Sequence, residues 1–131
     1  VALDCDGNLA AATSTGGLPG AAPGRMADSA LPGCGYYADN AVGALALSGH
    51  GESIARLSTA SEVMRSMLEL GPQRALEQAL SRLPHLDGDG GGIALSKEGA
   101  IGWWHNSPHF AIAAASSEAP DGRAWLSKDE K

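Results

Sequence analysis

The sequence predicts an α+β layered fold, on three observations. Apolar runs of strand length stand near the start and again towards the end, a central stretch carries apolar residues at helical spacing, and glycine-containing turns separate neighbouring runs. Strands, then two helices, then strands again describe one core, so the 131 residues read as a single domain.

Residues 1–3 and 9–15 are apolar segments flanking Asp4-Cys5-Asp6-Gly7-Asn8, whose Asp-Gly step predicts a β-hairpin. Alternation puts Thr13 and Thr15 on one face of the second strand. Residues 16–24, rich in Gly and Pro, are loop, after which Arg25 and Asp28 stand at the start of a new element or on a tight turn. Residues 33–40 carry turn formers and two adjacent tyrosines, and residues 41–47 (AVGALAL) read as a buried strand.

Ser48-Gly49-His50-Gly51-Glu52 then turns into a helix that begins at Glu52 or Ser53, leaving backbone N–H groups at its entrance to face negative charge. That helix runs to Leu70, with Ile54, Leu57, Val63, Met64, Met67 and Leu68 at helical spacing, and Gly71-Pro72 ends it. The methionines are core filler. A second helix from Gln73 to Leu83 sets Leu76, Ala79, Leu80 and Leu83 on one face. Residues 86–92 (LDGDGGG) read as a flexible linker, residues 93–96 and 100–105 as a hairpin around Lys97-Glu98-Gly99, and residues 110–115 as a further strand. The charged tail from Ser116 is expected to be exposed.

A net charge of −6 with no block of Lys or Arg argues against nucleic acid or an anionic membrane as partner and favours a small-molecule substrate. No apolar run approaches the roughly 18 residues of a membrane span, and no signal-like segment with a basic front is visible. Cys5 and Cys34 have neither metal-ligand spacing nor the density of a disulfide scaffold, which reads as two reduced, buried thiols of a cytoplasmic protein. Asp87-x-Asp89-Gly90 opens like a calcium loop but lacks the remaining ligands, so neither a metal nor another cofactor is expected.

The chemistry concentrates in residues 12–28, ATSTGGLPGAAPGRMAD. Arg25 and Asp28 lie three apart, a spacing at which a guanidinium grips a carboxylate while a carboxylate grips an ammonium, so the pair suits one zwitterionic substrate. An i,i+3 surface ion pair is the plainer reading of the same spacing. His105 and His109 have a spacing that suits zinc only on a helix, which Pro108 opposes; they are expected to line an outer substrate pocket.

ATSTGG at residues 12–17, PGRMADS at 23–29, GCGYYADN at 33–40 and SGHGES at 48–53 follow one another within about 50 residues. In that order they resemble the β-subunit of the plant-type (type III) L-asparaginases, also called isoaspartyl peptidases, which are N-terminal-nucleophile hydrolases. The resemblance implies hydrolysis of β-aspartyl amides in L-asparagine and isoaspartyl dipeptides. It implies a four-layer αββα sandwich, of which this chain supplies about half, as one helical layer and parts of both sheets. It also implies an α-subunit cut from the same precursor and an (αβ)2 assembly. The nucleophilic threonine falls about four positions before Val1, so the chain lacks its own nucleophile.

Carried over residue by residue, Thr15 orients the nucleophile, with Thr13 and Ser14 in support, and Ser48 and Gly49 form the oxyanion site. Arg25 takes the substrate α-carboxylate, Asp28 its α-amine, and Gly51 offers that amine a carbonyl. Threonine is commoner in the family where Ser48 stands. His50 is assigned a structural part, because a terminal threonine uses its own α-amine as base. Ser14-Thr15-Gly16-Gly17 disfavours a glycosylasparaginase and Asp28 a taspase-like protease, while an inactive truncated subunit or interaction-only homologue is the rival from another class.

Overall fold

The computed structural model describes residues 1–126. Its first element is the expected hairpin: β1 (Ala2–Leu3) pairs antiparallel with β2 (Leu9–Ala10), with Ala2 opposite Ala10. Asp4 closes the turn by accepting the amides of Asp6 at 2.9 Å and Asn8 at 2.7 Å. The ladder stops at Ala10, five residues before Thr15. Cys5, expected to be buried, is exposed in this turn, and Cys34 is half-buried; both are free thiols.

The main sheet has the order β3-β4-β5-β6, all antiparallel: β3 (Tyr36–Asp39), β4 (Gly43–Gly49), β5 (Gly90–Ser96) and β6 (Ile101–His105). β3 falls where turn formers were read. The turn comes two residues later, where the Asp39 carboxylate accepts the Ala41 amide at 2.8 Å and its carbonyl the Val42 amide at 2.9 Å. This delays β4 to Gly43. β5 begins inside the run read as a flexible linker: Gly90, Gly91 and Gly92 pair with Gly49, Ser48 and Leu47. Small residues are needed there, since a Cβ on Gly91 would lie 2.6 Å from that of His105.

The helical middle is interrupted twice. α1 (Gly51–Leu57) ends at Ser58, which adopts the left-handed conformation, and Thr59 caps the break by donating its hydroxyl to the Ile54 carbonyl at 3.0 Å. α2 (Thr59–Leu80) is broken at Gly71-Pro72, as expected. Leu45 and Leu47 of β4, Ile54 of α1, Val63, Met64, Met67, Leu76 and Leu80 of α2, Leu83 and Ala94 form one buried cluster on this face of the sheet. Each large aliphatic side chain removed from water contributes about 1.5–3 kcal/mol. Leu68, expected on the apolar face, is exposed. Gln73 fixes the helix to the sheet edge by accepting the Trp103 amide at 2.9 Å.

The other face meets the stretches around Thr13 and Phe110. β7 (Ile112–Ala114) lies within the expected strand and pairs with β8 (Arg123–Trp125), which was read as part of an exposed tail. The last residues of that tail, 127–131, lie outside the described residues.

Candidate active site

A cleft of about 320 Å³ opens on this second face, at the end of β4. Ala46 and Ile93, partners across β4 and β5, form its floor, and residues 110–113 line it beside them. Thr15, Asp28, Ser48 and Gly49 all line it. Three segments distant in sequence therefore bring four of the six expected site residues together.

Ser48 and Gly49 owe their place to sheet register. They are the last two residues of β4, opposite Gly91 and Gly90, where the strand leaves the core and becomes exposed. A Cβ on Gly49 would collide with the Asp89 carbonyl and Gly90 Cα, and its φ of 153° lies outside the range that L side chains favour, so only glycine fits. The next residue, His50, donates its amide to the Asp89 carbonyl at 2.8 Å.

Thr15 is exposed at the mouth, where its hydroxyl accepts the Gly17 amide at 3.0 Å. Thr13 binds this stretch to the turn carrying Asp28, donating its hydroxyl to the Ser29 carbonyl at 2.8 Å. Asp28 opens a short 3₁₀ turn (Asp28–Ala30) and is 5% exposed. Burial pushes its carboxyl above the ordinary carboxylate range, against the opposing pull of the Ser29 and Asp28 amides and of the Arg25 charge.

Arg25 and Gly51 lie beside Asp28 without lining the cleft. A Cβ on Gly51 would sit 2.6 Å from Asp28 Oδ1 and 3.5 Å from Arg25 Nη2, so the three share one corner. The i,i+3 ion pair between Arg25 and Asp28 does not form. The guanidinium instead meets Glu52 of α1, with Nη2 at 2.7 Å and Nε at 2.9 Å from the same Oε1. That hydrogen bonding, with the Arg25 charge, holds the Glu52 carboxyl below its ordinary range.

Glu52 was assigned no role from sequence. The available signal was that it is the only acid in SGHGES, a segment brought to the arginine-bearing loop. His50, expected to play a structural part, has its Nδ1 2.7 Å from Ser53 Oγ, which donates to the Leu86 carbonyl at 3.1 Å, and its Nε2 3.8 Å from Glu52 Oε2.

His105 and His109 do not line the cleft, contrary to expectation. His105 is 2% exposed, stacked between Trp103 and Phe110, with Nδ1 2.8 Å from the Ser107 carbonyl. Phe110 takes the lining position instead, because β6 points His105 into the aromatic stack. Among the described residues no helix is long and apolar enough to cross a membrane.

A family model described as "Asparaginase" matches residues 1–122. The chain is 42% identical over 120 residues to a bovine (Bos taurus) isoaspartyl peptidase/L-asparaginase, an overlap covering 86% of this chain and 38% of that protein. It is 44% identical over 105 residues to the isoaspartyl peptidase of Escherichia coli (strain K12), covering 77% of this chain and 32% of that protein. A plant-type L-asparaginase of Pyrobaculum calidifontis is 59% identical over 69 residues, covering 53% and 23% respectively. The chain thus spans less than two-fifths of the length of these relatives.

Proposed function

The chain belongs to the asparaginase family, and we propose that it forms the substrate-binding part of a larger hydrolase that cleaves β-aspartyl amide bonds, in L-asparagine and isoaspartyl dipeptides. The observation that carries this reading is the meeting of Thr15, Asp28, Ser48 and Gly49 in one cleft, with Arg25 and Gly51 at the corner next to Asp28. A cation and a buried anion side by side suit the α-carboxylate and α-amine of an aspartyl group.

The nucleophile is a threonine preceding Val1, exposed by self-cleavage so that its free α-amine can act as base. Hairpin register supports its place. With Ala2 opposite Ala10, Val1 faces Ala11 on continuation, and the fourth residue before Val1 faces Thr15. The threonine hydroxyl attacks the β-carbonyl carbon and its proton passes to the α-amine. The Ser48 hydroxyl and Gly49 N–H meet the oxyanion, and the departing amine takes the proton as the ester forms. Water then hydrolyses the ester and releases aspartate.

In this reading the sheet face opposite α2 becomes the inner face of a four-layer αββα sandwich, completed by an α-subunit of the same precursor in an (αβ)2 assembly. The free thiols of Cys5 and Cys34 suit a reducing compartment such as the cytoplasm.

The test uses the complete protein. Matured enzyme should carry a new N-terminal threonine by mass spectrometry and release aspartate from a β-aspartyl dipeptide and from L-asparagine. A mature N-terminus other than threonine, serine or cysteine, or no hydrolysis of either substrate, overturns the proposal.

A further inference from the structure

We propose that Glu52 is a positioning residue for Arg25, holding one edge of the guanidinium so that the other faces the substrate α-carboxylate. This deepens the reading of Arg25 given above and rests on it. A guanidinium offers five N–H donors in a plane, and these make two edges at which a carboxylate can dock by parallel hydrogen bonds. One edge is formed by Nε and Nη2, the other by Nη1 and Nη2. Glu52 Oε1 accepts from Nε at 2.9 Å and lies 2.7 Å from Nη2, and so occupies the first edge. Both Nη1 donors and the second Nη2 donor are left, and one Nη1 donor with that Nη2 donor makes up the whole of the second edge.

Two further observations give this arrangement a purpose. Arg25 and Glu52 are 20% and 48% exposed, and an ion pair so open to water adds little to fold stability. Its effect is orientation of a long side chain that extends from a glycine- and proline-rich loop. Glu52 also gives the guanidinium a partner other than Asp28, although the two share a corner with Gly51. An Arg25–Asp28 pair would satisfy both charges internally and leave neither for a zwitterion; Glu52 keeps them apart and available.

L-Aspartate and β-alanine serve as probes, since they differ only by the α-carboxylate and both act as competitive inhibitors of the complete enzyme in this scheme. In Glu52→Ala the inhibition constant of L-aspartate and the KM of a β-aspartyl dipeptide should each rise about tenfold, with kcat within about threefold of wild type. Inhibition by β-alanine should be unchanged. Glu52→Gln retains an Oε1 acceptor for the same edge and should remain within about threefold of wild type in every constant. In an Arg25→Lys background, Glu52→Ala should add less than about twofold, because lysine has no second edge to orient.

Unchanged L-aspartate inhibition in Glu52→Ala, or equal weakening of L-aspartate and β-alanine, overturns the assignment. Should Glu52→Ala fail to fold or mature, Glu52→Ser, which withdraws the acceptor from the same edge, decides on the same two probes: selective weakening of L-aspartate upholds the assignment, and unchanged or equal inhibition by the two overturns it. A wild-type enzyme that neither cleaves β-aspartyl substrates nor binds L-aspartate would instead bring down the proposed function, a result these variants do not mimic.

Discussion

Gly51 and Asp28 are packed so closely that a Cβ on the glycine would lie 2.6 Å from the aspartate Oδ1, and as near to the Ala27 Cβ. Neither neighbour can yield cheaply. The Asp28 carbonyl is fixed by the amides of Leu31 at 2.9 Å and Gly35 at 3.1 Å, so the turn cannot slide away as a flexible side-chain end would. Gly51→Ala is therefore expected to destabilise the protein by about 1–3 kcal/mol despite alanine's better helix propensity, as overpacking does. Urea unfolding measures the loss. KM for β-aspartyl substrates should rise with it, as the carboxylate is pushed from the corner; unchanged stability and KM would contradict the packing.

Asp28 itself costs the fold stability at neutral pH. Its folded pKa lies above the ordinary value of 3.8, chiefly through burial, so the folded state holds the proton longer than the unfolded state does. Its contribution is therefore favourable below the ordinary value and is lost as pH rises through the raised one. Asp28→Asn should melt at a higher temperature than wild type at pH 7, and the gap should close as pH falls below about 3.8. Activity should move the other way, since the amide cannot neutralise the substrate ammonium. Thermal scans across pH, paired with kinetics, check both directions.

Asn40 holds the first hairpin to the main sheet. Its Oδ1 accepts the Leu9 amide at 2.7 Å and its Nδ2 donates to Asn8 Oδ1 at 3.1 Å. Asn40→Ala removes both hydrogen bonds, at about 1 kcal/mol in an exposed setting, and should speed hydrogen exchange at the Leu9 amide. In the complete enzyme kcat should fall several-fold with little change in KM, because the hairpin carries the nucleophile in the proposed scheme and the substrate corner is elsewhere. A fall in KM-linked binding alone would place Asn40 outside that role.

Local chemistry made the hairpins and helix stops readable, and long-range packing hid the rest. Asp6-Gly7 and Lys97-Glu98-Gly99 specify tight turns by residue type, and Gly71-Pro72 can only interrupt a helix. Gly90, Gly91 and Gly92 look like linker because glycine carries no strand signal, yet they are strand residues since β4, the His105 Cβ and the Phe110 ring need their backbone close. Ser58 breaks the helix with no Gly or Pro to announce it. In the site, Ser48, Gly49 and Asp28 were reachable through motif order. The Arg25–Glu52 pair spans 27 positions and was not, because a surface counter-ion leaves no periodic or spacing signal.

Ser48 is where the chain departs from the commoner threonine, and its surroundings allow hydroxyl and methyl effects to be separated. It is exposed at the end of β4 and lines the cleft beside Gly49, so an added methyl has room. If its hydroxyl meets the oxyanion, Ser48→Ala should lower kcat by on the order of 10²-fold with a smaller change in KM, because the hydrogen bond strengthens only as negative charge develops. Ser48→Thr should be neutral or faster, since the methyl restricts the rotamer and keeps the donor. The assay belongs on fully matured protein, where slow self-cleavage cannot pass for slow turnover. Equal kcat for serine and alanine would remove this hydroxyl from the mechanism and leave the Gly49 N–H, held by a backbone that no other residue fits, to meet the oxyanion from β4.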